Sequence, residues 1–79
     1  MPNGMVLLNS EIGSESKVLD DLVKLDEVER AYLIYGVYDI LAEVTADTME
    51  ELQAIITGKV RLIPGVRSTL TLVVSRRYK

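Results

Sequence analysis

Side chains that commonly carry out catalysis are scarce in this sequence. The chain has no His and no Cys among its 79 residues, so it lacks the parts of a Ser-His-Asp or Cys-His arrangement and the usual zinc ligands. It also lacks the glycine-rich motifs that cradle nucleotide phosphates. Acid–base chemistry would fall to carboxylates, Lys or Tyr, and most of the acids are predicted to lie on helix exteriors. We therefore expect no enzyme activity, no bound metal and no cofactor.

Asp39 is the candidate for binding chemistry. It is the only acid between Glu29 and Glu43, and it follows Gly36 by three residues. Because Gly adopts positive φ without steric cost, backbone N–H groups near Gly36 would be open to a ligand carboxylate. The Asp39 carboxylate would suit an ammonium group. The alternative, that Asp39 only bonds its own turn or faces water, stays open because Asp is a common turn residue.

The elements around Asp39 predict a tight β-hairpin. Strands are predicted at Val28–Tyr35 and Tyr38–Thr45, with the turn at Gly36. In the second of these strands, alternate side chains point to opposite faces of the sheet. Ile40, Ala42 and Val44 lie on one face, and Leu41, Glu43 and Thr45 lie on the other.

Two amphipathic helices and two further strands complete the pattern. The first strand is predicted at Met5–Asn9 and the last at Val66–Val74. The first helix follows Gly13 or Ser14 and buries Val18, Leu19, Leu22 and Val23. The second helix begins at Asp47, with Glu50 completing a capping box, and buries Leu52, Ile55, Ile56, Val60 and Ile63. Gly58 within that helix is unfavourable, and close packing is the only reason the sequence offers for it.

The order strand-helix-strand-strand-helix-strand predicts a ferredoxin-like α+β fold. Two helices should cover one face of a four-stranded antiparallel sheet, within a single domain of residues 1–79. We expect the other sheet face to carry Leu41 and Val73 mixed with Thr45, Thr69 and Thr71. A half-apolar face of this kind favours association, so we expect a dimer built sheet against sheet. On that face, Thr69 and Thr71 could add hydroxyl donors to Asp39, although Thr is also an ordinary strand former.

Charge and hydropathy exclude other partners. The formal net charge is −3, which disfavours nucleic-acid binding because that binding depends on neutralising phosphates. The basic cluster Arg76–Lys79 is interpreted as a solvated tail. No apolar run is long enough to span a membrane, and no secretory signal precedes the first strand. We expect a cytoplasmic protein.

The hairpin and the last strand together resemble a known family. The similarity rests on Ala31–Val44 (A-Y-L-I-Y-G-V-Y-D-I-L-A-E-V), on the helix opening at Asp47, and on Leu62–Val74 (L-I-P-G-V-R-S-T-L-T-L-V-V). These stretches resemble the effector-binding domain of the Lrp/AsnC regulators, called the RAM domain. Full-length members carry an N-terminal helix-turn-helix domain, so the resemblance implies a stand-alone RAM domain here.

The resemblance implies dimers, which assemble into octamers of four dimers or open arrays. Amino-acid effectors would be held between dimers, near Gly36, Tyr38 and Asp39, with Thr69 and Thr71 on a neighbouring strand. Val37 departs from the pattern, because many relatives are polar there. The implied partners are further copies of this chain, an amino acid and a full-length Lrp/AsnC regulator.

Other functions remain open at the level of sequence. One is a ligand-free assembly domain that co-oligomerises with full-length regulators. Another is a small enzyme of the dimeric α+β barrel type, for which Glu43 and Asp39 are the only evident acid–base groups. An ACT domain has the same element order, but its glycine-rich first loop would be represented here by Gly13 alone.

Overall fold

The computed structural model describes residues 2–79. Four strands and two helical regions follow one another in the predicted order. The strands are β1 (Asn3–Ser10), β2 (Val28–Leu33), β3 (Ile40–Thr45) and β4 (Val66–Val73). The helices are α1 (Glu15–Leu22) and α2 (Met49–Ile55), and α2 continues into a π-helical segment, Ile56–Val60.

The strands form one antiparallel sheet in the order β2-β3-β1-β4. This order is the ferredoxin-like arrangement, so the predicted fold class is confirmed. The core lies between the sheet and the helices. Its most buried side chains come from the two central strands, from both helical regions and from the turn after the second helical region: Val6, Leu8, Ile40, Ala42, Val44, Val18, Leu22, Leu52, Ile56, Val60 and Ile63.

The predicted faces of β3 are confirmed, because Ile40, Ala42 and Val44 are fully buried while the residues between them are half-buried. One prediction for α1 is wrong. Val23 is 63% exposed, since α1 ends at Leu22 and the next residue leaves the helical face.

The start of α2 lies one residue later than predicted. Thr48 is the N-cap, and its hydroxyl oxygen accepts the backbone N–H of Glu51 at 3.1 Å. The Glu51 carboxylate in turn accepts the backbone N–H of Asp47 at 3.2 Å. The capping pair is therefore Thr48 with Glu51 rather than Asp47 with Glu50.

The end of this helical region also differs from the prediction. Instead of continuing as an α-helix, the chain widens into the π-helical segment, where the Arg61 N–H donates to the Ile56 carbonyl at 2.9 Å. Gly58 lies in this segment, and a Cβ added there would meet no atom within 4 Å. Close packing therefore does not explain Gly58.

The connection between β2 and β3 is longer than predicted. Residues 34–39 form a loop, closed by the Ile34 N–H donating to the Asp39 carbonyl at 2.8 Å. Gly36 has a φ of +153° at its tip, a conformation that favours glycine. The glycine position was therefore predicted correctly, whereas the tight turn and the longer strands were not.

The register of β4 reverses the predicted faces of its side chains. Thr71 pairs with buried Val6 and Thr69 with buried Leu8, and cross-strand partners point to the same face. Thr69, Thr71 and likewise Val73 therefore face the helices, which contradicts the prediction. The opposite face, called the outer face below, carries Ser68, Leu70 and Leu72 on this strand.

Candidate functional site

Asp39 is fixed to the end of β1. Its Oδ2 atom accepts the backbone N–H of Ser10 at 3.0 Å and lies 3.5 Å from the Ser10 hydroxyl, which donates to it. The Asp39 backbone N–H donates to the Leu8 carbonyl at 3.0 Å. The Asp39 side chain thus bonds a neighbouring strand rather than its own turn, and its carboxylate has a defined position at the hairpin end of the sheet.

Two cavities meet at this carboxylate. One, of about 350 Å³, is lined by Asp39 together with Asn9, Ser10, Ile12, Arg67 and Ser68. The other, of about 390 Å³, is lined by Asp39 with Glu15, Ser16, Leu33, Ile34 and Tyr35. Both volumes lie near the lower end of the range for small-molecule sites. The first is called the Asp39–Arg67 cavity below.

Arg67 reaches this cavity because of an irregularity in the sheet. Ser68 pairs with Asn9 and Val66 pairs with Ser10, so Arg67 is the extra residue of a β-bulge. A bulge interrupts the alternation of side chains and can redirect one of them. Plain alternation would group Arg67 with Thr69 on the helix side. The bulge instead lets Arg67 line a cavity with Asn9 and Ser68, whose side chains lie on the outer side.

Turn geometry brings β4 to the same end of the molecule. Gly65 has a φ of +97°, and a Cβ there would lie 3.1 Å from both Ser14 Cβ and Val18 Cγ2. Its carbonyl accepts the Glu11 N–H at 2.7 Å. Only glycine fits here without displacing Ser14 and Val18. This close contact places the start of β4 beside the loop that joins β1 to α1.

The five residues predicted to bind a ligand are not all brought together. Gly36 and Tyr38 share the loop with Asp39, but neither lines the two cavities beside it. Thr69 and Thr71 line a separate groove of about 380 Å³ between β4 and the helical region, with Met49, Ile56, Arg61 and Val73. Thr69 and Thr71 line neither cavity beside Asp39, so within this chain they are not brought together with Asp39.

Sequence reasoning missed Arg67, Ser10 and Ser68. Ser10 is almost fully buried, and its role depends on a contact across 29 positions of sequence. For Arg67 the sequence held one signal, a basic residue next to Ser68 in the stretch that resembles the family. The bulge that redirects it depends on pairing with β1, which the sequence of β4 alone does not encode.

The outer face carries a polar network beside its apolar residues. The Tyr32 hydroxyl donates to Glu43 at 2.9 Å, and Arg30 lies 3.5 Å from the same carboxylate. The hydrogen bond to Glu43 raises the pKa of Tyr32, because the neutral phenol is the donor. Next to this network, one row across all four strands is apolar or aromatic: Tyr32, Leu41, Leu7 and Leu70.

Comparison with known proteins identifies the family. Residues 5–79 match the model of the Lrp/AsnC ligand binding domain. The chain belongs to this family. Regulatory protein AsnC of Haemophilus influenzae is 39% identical over 57 residues, which is 72% of this chain. The chain spans less than half the length of the curated relatives it matches, 38% in the Haemophilus protein.

Solved structures share this fold. A hypothetical protein from Pyrococcus horikoshii is 32% identical with a TM-score of 0.89, and the match covers 99% of this chain and 94% of that one. A transcriptional regulator of Neisseria meningitidis, solved as an L-Met complex, has a TM-score of 0.89, with 99% of this chain and 52% of that one covered. Its identity is 14%, so this likeness concerns the fold alone.

Two further findings concern residues 2–79. No helix in this range is long and apolar enough to cross a membrane. No group of three or more His, Cys, Asp and Glu side chains in this range is placed to hold a metal ion.

Proposed function

We propose that this Lrp/AsnC ligand-binding domain binds a free amino acid in the Asp39–Arg67 cavity and self-associates through its outer sheet face. It would act as a cytoplasmic regulatory module that modulates transcription or metabolism through a partner protein. The curated relatives are transcriptional regulators, and a fold relative was solved with L-Met, both of which are consistent with this function.

The observation that carries the proposal is the pairing of opposite charges around one cavity. Asp39 and Arg67 both line it, and within residues 2–79 neither belongs to an ion pair. Unpaired groups of opposite sign complement a zwitterion, with the ammonium on Asp39 and the carboxylate on the Arg67 guanidinium. Gly36 and Tyr38 would contribute from the adjoining loop.

Exposed apolar side chains support a site that is completed by another subunit. Ile12, Tyr35 and Val37 surround this end of the sheet and are almost fully exposed. Such a cluster on a small domain favours an interface. Thr69 and Thr71 are left out of the proposed site, because they face a different groove and could reach the ligand only from a neighbouring subunit.

Self-association has its own support on the outer face. The row Tyr32, Leu41, Leu7 and Leu70 crosses the whole sheet, and Met5 and Leu72 lie in the next row. In a monomer this face would meet water, which disfavours so much apolar surface. Packing it against the same face of a second copy would give a two-fold dimer. If no ligand binds, this face favours a structural assembly domain instead.

Isothermal titration calorimetry with each of the twenty amino acids, run beside multi-angle light scattering, tests the proposal. We expect one or a few amino acids to bind, with Kd below the millimolar range. The methyl ester and the N-acetyl derivative of the best ligand are matched controls, since each removes one charge of the zwitterion. Both should bind at least about tenfold more weakly.

Two results would contradict the proposed ligand site. Equal affinity for the N-acetyl derivative would mean that no carboxylate of the protein recognises the ammonium group. Absence of binding by every amino acid at millimolar concentration would leave only the assembly function.

A further inference from the structure

The Asp39–Arg67 cavity has a polar wall that the two charged ends of an amino acid would leave free. Besides the two charged residues, the cavity is lined by Asn9, Ser10, Ile12 and Ser68. Three of these four are polar, and Ile12 is almost fully exposed. An amino acid bound through its ammonium and carboxylate groups would therefore present its side chain to a mainly polar surface.

Asn9 and Ser68 form a pair within this wall. They are cross-strand partners in the ladder between β1 and β4, so their side chains lie on the same face of the sheet. The Asn9 Nδ2 atom donates to the Ser68 Oγ atom at 3.3 Å. The neighbouring pair on this face, Leu7 with Leu70, is apolar. The outer face thus changes from apolar to polar where it reaches the cavity.

The chain connects the Asn9–Ser68 pair to both charged groups of the cavity. Ser68 directly follows Arg67 in the sequence. Asn9 directly precedes Ser10, whose N–H donates to the Asp39 carboxylate at 3.0 Å. The pair therefore lies within one residue of Arg67 on β4 and within one residue of the Asp39 contact on β1. A ligand that spans Asp39 and Arg67 lies next to this pair.

The hydrogen bond between Asn9 and Ser68 leaves one acceptor and one donor free. Asn9 uses an amide hydrogen in this bond, so its Oδ1 atom can still accept. Ser68 uses an oxygen lone pair, so its hydroxyl hydrogen can still donate. Within residues 2–79, neither side chain makes another hydrogen bond. The pair thus presents an acceptor and a donor side by side.

A carboxamide group matches this arrangement, because it carries N–H donors and a carbonyl acceptor on one carbon. A carboxylate has no hydrogen to donate to Asn9 Oδ1, and an apolar side chain leaves both protein groups without a partner. Unpaired hydrogen-bonding groups cost binding free energy, so a site built in this way discriminates against ligands that lack the matching groups.

We propose that Asn9 and Ser68 select an amino acid with a carboxamide side chain, which is asparagine or glutamine. The ligand's amide N–H donates to Asn9 Oδ1, and its amide carbonyl accepts the Ser68 hydroxyl. The ammonium and carboxylate groups contact Asp39 and Arg67. This inference rests on the proposed binding of an amino acid in the Asp39–Arg67 cavity, and it adds the identity of the side chain that the cavity recognises.

The neighbouring cavity has the opposite preference. Leu33, Ile34 and Tyr35 line it beside Asp39, so a ligand side chain that entered it would be apolar. Arg67 does not line that cavity, and a ligand placed there would lose the partner of its carboxylate. Leucine distinguishes the two cavities, because it has nearly the shape of asparagine but no polar atom in its side chain.

Isothermal titration calorimetry with a short ligand series tests the selection. Asparagine and glutamine are compared with aspartate, glutamate and leucine, and with alanine, which has the same charged ends and only a methyl side chain. We expect asparagine or glutamine to bind at least about tenfold more tightly than each comparison ligand.

The ligand series separates failure of this inference from failure of the proposed function. Equal or tighter binding of any comparison ligand would overturn the carboxamide selection and leave amino-acid binding in place. Binding only of an amino acid outside the series would have the same meaning. Absence of binding by all twenty amino acids at millimolar concentration would overturn both proposals.

Variants assign the selection to the two side chains. Asn9→Leu and Ser68→Ala each remove one partner of the carboxamide, so each should weaken binding of the preferred ligand about tenfold and leave the affinity for alanine unchanged. Ser16→Ala is the matched control, because Ser16 lines only the neighbouring cavity, and it should change neither affinity.

The comparison with alanine separates recognition from a structural role. An equal loss of affinity for alanine and for the preferred ligand would mean that the pair only shapes the end of the sheet, which would overturn the proposal. Thermal unfolding checks that each variant folds. If Asn9→Leu does not fold, Ser68→Ala, at an exposed position, and the ligand series on the unmodified protein decide.

Discussion

The Asp39 carboxylate accepts the backbone N–H of Ser10 at 3.0 Å, across the end of the sheet. This bond fixes the side chain beside the Asp39–Arg67 cavity through one oxygen, Oδ2. It also means that Asp39 holds the hairpin loop against β1. A test of ligand binding at Asp39 must therefore remove its charge while keeping a hydrogen-bond acceptor for Ser10.

Asp39→Asn meets that requirement, because the amide oxygen can still accept the Ser10 N–H. We expect amino-acid binding to weaken by about tenfold to a hundredfold, since a charge-assisted hydrogen bond contributes roughly 1.5–3 kcal/mol and each decade is 1.4 kcal/mol. Calorimetry measures the loss, and thermal unfolding checks the fold. Asp39→Ala, which also removes the acceptor, should lower Tm as well. Unchanged affinity in Asp39→Asn would make Asp39 a purely structural residue.

Arg67 provides an independent test of the same cavity. Arg67→Gln should weaken binding of the amino acid, whereas Arg67→Lys should keep part of the affinity, because it retains the charge but loses the planar fork. Binding of the ligand's methyl ester should be insensitive to Arg67→Gln, since the ester has no carboxylate to lose. An equal loss for the amino acid and its ester would indicate that Arg67 acts by shaping the bulge rather than by contacting the carboxylate.

The fold was predictable because the central strand β3 is half-buried and alternates cleanly, from Ile40 to Thr45. The faces of β4 were not predictable, because helices cover only part of an edge strand. Thr residues lie on one face of this strand and Leu residues lie on the other. Pairing with buried Val6 and Leu8 on β1 decides the faces, and that register is a long-range property. For the same reason the Arg67 bulge could not be predicted from local sequence.

The start of α2 shows a different limit. The stretch Asp47-Thr48-Met49-Glu50-Glu51 contains two overlapping capping pairs, one residue apart. Both satisfy the same local rule, and in the structure Thr48 is the residue whose side chain accepts the Glu51 N–H. Local chemistry thus predicted the cap motif but not its position.

Association through the outer face is tested by Leu41→Lys. Leu41 lies in the apolar row, so a buried unpaired charge there should cost several kcal/mol and dissociate the dimer. Light scattering at micromolar concentration should then give a particle of 8.8 kDa. Val23→Lys is the matched control, because it places the same charge on an exposed apolar residue at the end of α1. A Leu41→Lys protein that stays dimeric would exclude this face as the interface.

The ion pair between Lys59 and Glu27 predicts a pH dependence of stability. Lys59 Nζ lies 2.6 Å from Glu27 Oε2 and lowers the pKa of Glu27 below its ordinary value of 4.5. A carboxyl group whose pKa is lower in the folded state than in the unfolded state stabilises the fold at pH values above its unfolded-state pKa. This stabilisation is lost as the pH falls through the folded-state pKa. The other oxygen, Oε1, is buried and has no hydrogen-bond partner within residues 2–79, and the hydrogen bond from Lys59 is the largest cause of the lowered pKa of Glu27.

Lys59→Met should therefore lower the urea midpoint at neutral pH, and the difference from the unmodified protein should shrink as pH falls below about 4.5. Lys24→Met is the control, because Lys24 is largely exposed and lies 3.9 Å from its partner Asp21, so its removal should change stability little. A difference that stays constant across the acid range would mean that Lys59 stabilises the fold by packing rather than by its charge.

Gly58→Ala should stabilise the domain. Gly58 lies in the π-helical segment without a positive φ, and an added Cβ would meet no atom within 4 Å. Alanine would therefore fit without strain and would reduce the conformational entropy of the unfolded chain, a gain of roughly 0.4–1 kcal/mol. Urea unfolding measures the change, and Gly65→Ala is the contrasting control. It should destabilise the domain, because its Cβ would lie 3.1 Å from Ser14 and Val18. Destabilisation by Gly58→Ala, with light scattering showing a smaller oligomer, would instead mean that Gly58 is needed for close approach of another subunit.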